Sequence, residues 1–201
     1  LAIGVCTMCG AFNGIMVTFC RIPAFVVTLA LMMIARGLAY IIDVQYNAQL
    51  TGGSGAPVAV GIEAKSFHVL GAGSILGIPN PIWLMVLLFA ISHVVMTKTA
   101  LGRYIYAVGG NVEAARLSGL PVRLVFILVY TICGALTGLA GIIQASRFSS
   151  GDPKAGDLYE LQVIAAVVVG GTSLAGGEGK ILGTLVGAII IAVIENGLNM
   201  A

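Results

Sequence analysis

Residues 102–122 read GRYIYAVGGNVEAARLSGLPV, and the rest of the chain is organised around this stretch. It is a polar segment that holds a helix start and a helix stop, with strongly apolar runs on both sides. Asn111 is a good N-cap, and Glu113 puts negative charge in the first turn, where the helix dipole favours it. Gly119 suits the left-handed position just past a helix end, and Pro121 forbids continuation. These signals predict a helix over 112–118, too short to be stable by itself in water. It must therefore rest on something. Ala114 and Ala115 at its middle carry almost no side chain, so a partner surface can approach closely. The basic residues Lys98, Arg103, Arg116 and Arg123 surround it. A short, small-residue helix between two membrane spans has the form of a docking element, although an ordinary capped loop helix has the same local sequence.

Composition decides what surrounds that helix. Hydrophobic residues make up 59% of the chain and charged residues only 9%, where soluble domains carry roughly 25% charged. Mean hydropathy is +1.06. Glycine is abundant at 28 residues, as expected where helices approach closely in lipid. The chain is read as an integral membrane protein. Its net charge of +2 does not imply a nucleic-acid partner, because the basic residues concentrate between spans. The opening on Leu1 inside an apolar run gives the expectation of a fragment.

Apolar runs of about 20 residues cross the ~30 Å of hydrocarbon. Runs at 2–19, 24–42, 82–97, 124–145 and 181–198 are read as spans, and 161–171 as a half or re-entrant span. Between them lie polar loops at 43–81, 98–123 and 147–160, and a glycine-rich break at 172–180. The fold class is therefore all-α: one polytopic transmembrane helix bundle with a broken helix near the C-terminus. Loop 98–123 carries four basic residues against one acid, Glu113. Loop 43–81 has only Lys65 against Asp43 and Glu63, and 147–160 has two basic residues against three acids. The excess of Lys and Arg places 98–123 in the cytoplasm and the other two loops outside. Arg21 then falls inside as well.

Within the spans, Gly10 with Gly14, Gly134 with Gly138, and Gly179 with Gly183 and Gly187 recur at GxxxG spacing. Such faces let helix backbones approach where lipid removes the hydrophobic drive. Polar residues inside spans are expensive and read as functional by default. Asn13, Thr28, Gln162, Thr172, Ser173 and Asn196 are the candidates for a pathway or gate, with Arg36, His93 and Glu195 also noted. They include no dense acid or histidine chain of the kind a proton relay needs.

Three strings resemble chemical motifs and fail on physical grounds. GGTSLAGGEGK at 170–180 has Leu174 where a phosphate loop needs its first glycine, and Ile181 after the lysine. GGSG at 52–55 matches an intramembrane protease string but lies in an outer loop, where nothing positions His68 as a base for Ser54. Cys6 and Cys9 form a CxxC without a second pair or a nearby histidine, so they read as small hydrophobes, and no metal site is expected.

Four longer strings carry a resemblance that covers nearly the whole chain. They are Asn13-Gly14 followed by IPAFVVTLALMMIARGLAY (22–40), LGAGSILGIPNPIW (70–83), GRYIYAVGGNVEAARLSGLPV (102–122) and ELQVIAAVVVGGTSLAGGEGKILGTLVGA (160–188). Together they resemble the permease subunit of ribose-type bacterial ABC sugar importers, the family that also handles xylose, galactose and arabinose. Glu113-Ala114-Ala115, three residues, then Gly119 is similar to the importer "EAA" pattern. The resemblance implies that Asn111, Glu113, Ala114, Ala115, Arg116 and Gly119 form a cytoplasmic coupling helix seated on an ATP-binding subunit. It implies a second permease copy, a periplasmic sugar-binding protein and the lipid of a bacterial inner membrane as further partners. It implies no catalytic residue and no cofactor here, with ATP bound by the partner subunit. Relatives in that family carry further spans at both ends. The alternative from another class is an ion-coupled secondary transporter with its own site between broken helices, for which the half span at 161–171 speaks.

Overall fold

The computed structural model describes residues 1–20, 22–51, 60–61, 71, 73–75 and 77–200. Arg21, the string 52–55, Glu63, Lys65 and His68 lie outside the described residues. Eight helices occur among the described residues: α1 Ala2–Cys20, α2 Ala24–Thr51, α3 Asn80–Lys98, α4 Ala100–Gly110, α5 Val112–Leu117, α6 Val122–Phe148, α7 Tyr159–Val169 and α8 Ile181–Met200. Four two-residue strands form two antiparallel ladders, β1 Val60–Gly61 with β4 Ser150–Gly151 and β2 Ser74–Ile75 with β3 Ile78–Pro79. The protein is an all-α polytopic membrane bundle. Five helical segments are long and apolar enough to cross a membrane: Ala2–Cys20, Ala24–Tyr46, Asn80–Lys98, Val122–Phe148 and Ile181–Leu198. Even the shortest, at 18 residues, reaches about 27 Å at 1.5 Å per residue.

Helices run further than the apolar runs that mark them. α2 carries Asp43 inside it and continues to Thr51, although 43–81 reads as loop. A helix does not stop at its first polar residue; it stops where a residue favours another conformation, and Gly52-Gly53 is the first such signal after Asp43. α3 begins at Asn80, with Pro81 in the first turn, where its missing N–H has no intrahelical partner to lose. α6 likewise continues to Phe148, past the start of the 147–160 loop.

The larger correction concerns residues 100–110, read above as polar connection. They form α4, an 11-residue helix. Thr99 caps it, its hydroxyl accepting from the Gly102 N–H at 3.5 Å. Gly102 and Val108 are its buried residues. A Cβ at Gly102 would meet the Met96 carbonyl carbon and Cα at 2.6 Å, so glycine here marks a tight α3–α4 corner. Gly102, Gly109 and Gly110 have the composition of a loop; what they supply is close backbone approach.

Serine and threonine hydroxyls within the helices bond back to their own backbone. Thr7 donates to the Ile3 carbonyl at 2.6 Å, Thr18 to Gly14 at 2.6 Å and Thr131 to Ile127 at 2.7 Å. This satisfies groups that lipid cannot solvate. All four cysteines are free, and among the described residues no group of three His, Cys, Asp or Glu is placed to hold a metal ion.

The chain divides into two compact units, Leu1–Trp83 with Phe126–Ala155, and Leu84–Val125 with Gly156–Ala201. In the first, α1 packs on α6 glycine to glycine. A Cβ at Gly10 would meet Gly134 Cα at 3.1 Å, one at Gly14 would meet Ile127 Cα at 2.9 Å, and one at Gly138 would meet Ile3 Cα at 3.0 Å. Backbones this close exclude any larger residue without separating the helices.

Candidate functional site

The second unit holds the capped helix and the helix α4 to which it is joined. Asn111 Oδ1 accepts from the N–H groups of Glu113 and Ala114, both at 3.0 Å, and satisfies two of the four donors a helix start leaves open. The Asn111 N–H meanwhile donates to the Ala107 carbonyl at 3.2 Å and closes α4. One extended residue, with φ −154° and ψ 105°, therefore joins two helices without a loop between them.

The far end of α5 is closed as tightly. Gly119 takes φ +78°, its N–H donates to the Arg116 carbonyl at 3.0 Å, and the Leu120 N–H donates to Ala115 at 3.1 Å. That pair of bonds is a complete Schellman closure. α5 itself spans Val112–Leu117, with Ser118 as its C-cap rather than its last helical residue. Glu113 lies in the first turn and Arg116 in the last, each complementing the local dipole.

Burial shows which side of α5 is free. Ala115 is 5% exposed, whereas Ala114, Glu113 and Arg116 face outward. Val112 is 45% and Leu117 83% exposed. Exposed apolar residues on the spanning helices meet lipid, but α5 is outside the apolar runs, and its Leu117 has no such solvent. Leu117 and Val112 were not among the sequence candidates; an apolar side chain on a helix between spans was the signal available.

α4 in its turn meets the 170–180 connection, which joins α7 to α8. α7 ends at a second Schellman closure: the Gly171 N–H donates to Val168 at 2.9 Å, the Thr172 N–H donates to Val167 at 3.1 Å, and Gly171 takes φ +83°. The half helix stops because its capping glycine stops it. The turn then folds on itself, with the Ser173 N–H on the Glu178 carbonyl at 3.0 Å and the Ala175 N–H on Ser173 Oγ at 3.2 Å. Thr172 fills the space beside Gly179, where a Cβ would meet its Oγ1 at 2.9 Å.

From that turn α8 runs back antiparallel to α7. A Cβ at Gly183 would meet the Gly170 carbonyl carbon at 3.2 Å, and one at Gly187 would meet the Gly170 nitrogen at 2.7 Å. Further along, Gln162 Nε2 donates to Glu195 Oε1 at 3.0 Å. Gly183 and Gly187 of α8 thus face the C-terminal end of α7, whereas Gly179 lies before α8 and faces Thr172.

The pathway candidates fall in separate places. Asn13 and Thr28 belong to the first unit, and Gln162, Thr172, Ser173 and Asn196 to the second. The Thr28 hydroxyl donates to the Ala24 and Phe25 carbonyls at 3.1 Å, so its proton is used within its own helix. Asn13 Oδ1 is buried with no hydrogen-bond partner among the described residues. In the second unit, Gln162 is at the opposite end of the α7–α8 pair from Thr172 and Ser173, and Asn196 follows Glu195 on exposed helix. These residues do not form one cluster. A cavity of about 460 Å³ in the first unit is lined by Ile42, Asp43 and Tyr46 of α2 and Gly151, Asp152 and Pro153 after α6, none of them a sequence candidate for the site.

The chain is a multi-pass helical membrane protein that presents a capped, partly apolar helix between spans. The comparisons narrow the class. Residues 1–201 match the family described as "Branched-chain amino acid transport system / permease component", and the chain belongs to that family. It is 46% identical over 193 residues to the ribose import permease protein RbsC of Escherichia coli (strain K12), covering 95% of this chain and 57% of that protein. It is 44% identical over 188 residues to the RbsC of Bacillus subtilis (strain 168), covering 94% of this chain and 55% of that one. It is also 44% identical over 188 residues to the L-arabinose transport system permease protein AraH of Escherichia coli (strain K12), covering 94% of this chain and 54% of the other. The chain thus spans little more than half the length of these relatives. No solved structure matches.

Proposed function

We propose that this chain is the membrane-spanning subunit of an ATP-driven importer that takes a monosaccharide of the ribose kind across a bacterial inner membrane. The carrying observation is α5: a helix closed at both ends, attached without a loop to α4, and presenting Leu117 at 83% exposure between two spans. A groove on a cytoplasmic ATP-binding subunit is the surface this helix fits. The family description speaks of amino-acid transport, whereas the relatives with 44–46% identity are named for ribose and arabinose, and we follow the relatives. In this reading two permease copies line the path, a periplasmic binding protein delivers the sugar, and ATP is bound and hydrolysed on the partner subunit. The chain itself hydrolyses nothing and needs no cofactor. Asn111, Glu113, Ala114, Ala115, Arg116 and Gly119 shape the coupling helix, and Leu117 adds apolar contact.

The test is copurification and uptake. The full-length protein, expressed with its neighbouring genes, should bring down an ATPase subunit and support uptake of labelled ribose or arabinose that stops when ATP is depleted. Uptake that continues without ATP and collapses with an ion gradient would instead establish the secondary transporter.

A further inference from the structure

The capped helix is joined to α4, and α4, besides its corner with α3 at Gly102 and Met96, meets the 170–180 turn through bare backbone. A Cβ on Gly109 would meet the Gly177 nitrogen at 2.9 Å, and one on Gly177 would meet Gly110 Cα at 2.7 Å. Gly176 and Gly177 take φ +90° and +77°, conformations that side-chain-bearing residues rarely hold, so the turn is shaped to present its backbone to α4. One turn of helix earlier, the Tyr106 hydroxyl donates to the Gly179 carbonyl at 2.8 Å. Gly179 is two residues from the start of α8 and is packed over Thr172, three residues past the end of α7. Two contacts on one helix, a backbone clasp and a hydrogen bond, therefore hold the α7–α8 connection at its middle and at its α8 end.

Resting on the importer reading, we infer that Tyr106 and Gly109 are the positioning residues that carry displacement of α5 into the α7–α8 pair, by clasping the 176–179 turn. The chain of rigid connections is short. α5 is closed against α4 by Asn111, α4 is clasped to the turn, and the turn is continuous with two helices that meet glycine to glycine. Apart from the Tyr106 ring and the short Asn111 amide, these contacts are backbone to backbone and leave little slack to absorb the motion. Interfaces this tightly packed shift as units rather than deform continuously. The turn at 172–180, a glycine-rich break that carries the pathway or gate candidates Thr172 and Ser173, is here the receiving end of the coupling segment.

Two neighbouring glycines supply the test. A Cβ on Gly109 forces the turn away, whereas one on Gly110 meets Gly177 Cα at 3.8 Å, an ordinary contact. In the full-length permease, assembled with its ATPase and receptor in lipid nanodiscs or proteoliposomes, Gly109→Ala should bind the ATPase normally. Its hydrolysis should respond to sugar-loaded receptor at least about fivefold less than the parent, and the ATP spent per sugar moved should rise. Gly110→Ala should stay within about twofold of the parent. Tyr106→Phe keeps the ring and loses one hydrogen bond, so a loss of about fivefold is expected in the same response. If Gly109→Ala does not insert, Tyr106→Phe alone decides. Parental coupling in Tyr106→Phe, or in an inserted Gly109→Ala, overturns the inference. Failure of the importer reading looks different: the parent itself would bind no ATPase and show no receptor response.

Discussion

Replacing Gly183 with alanine adds one methyl group where the structure leaves no room for it. The new Cβ would overlap the Gly170 carbonyl, with the carbonyl carbon only 3.2 Å away. Backbone of a capped helix end cannot rotate aside as a side chain can, so α7 and α8 must separate. Overpacking of this kind costs about 1–3 kcal/mol. Against it works the intrinsic helix preference of alanine over glycine, up to about 1 kcal/mol. The net effect is destabilising by about 0–2 kcal/mol, too broad to test alone. Gly197 provides the reference: it is in the same helix, and a Cβ there meets nothing within 4 Å. Gly197→Ala receives the preference without the overlap, so the difference between the two variants isolates the packing term, about 1–3 kcal/mol, with Gly183→Ala the less stable. The assay is reversible denaturation of the full-length protein in mixed micelles, followed by tryptophan emission and by protease protection. Gly183→Leu should fail to assemble, while Leu182→Ala, whose side chain is 57% exposed, should be nearly silent. Equal stability of Gly183→Ala and Gly197→Ala would refute the α7–α8 contact and the register read from it.

Other expectations concern α5 and orientation. Gly119→Val forces a β-branched residue to φ +78°, at a cost of about 1–2 kcal/mol, so the Schellman closure should open and uptake should fall while the protein remains inserted; normal uptake with normal protein levels would reduce α5 to an ordinary loop helix. Leu117→Ser removes an 83% exposed side chain and should weaken ATPase copurification without lowering thermal stability, a pair of readings that a purely structural leucine would not produce. In a cysteine-free background, cysteine at Ser150 should react with an impermeant thiol reagent on intact cells, and cysteine at Ser118 only after the membrane is opened. Labelling of position 118 from outside would overturn both the orientation and the docking of α5.

What could be read without coordinates was whatever depends on neighbours in sequence. The length of an apolar run decides whether a helix can cross lipid, and the runs behind α1, α3, α6 and α8 were plain in composition. The ends of α5 were equally local, because Asn111 caps with its own side chain and Gly119 alone accepts a left-handed backbone cheaply. α4 was not legible: its glycines imitate a loop, and their use becomes visible only when Met96, Gly176 and Gly177 are found against them. The same holds for the polar candidates. Thr28 and Gln162 were equivalent as intramembrane hydroxyl and amide, yet one bonds its own helix and the other bonds Glu195, 33 residues away. Spacing along a helix tells which face a glycine shares; it does not tell which backbone lies across from it. That choice belongs to tertiary structure, since a close approach is a property of two backbones and each sequence position describes only one.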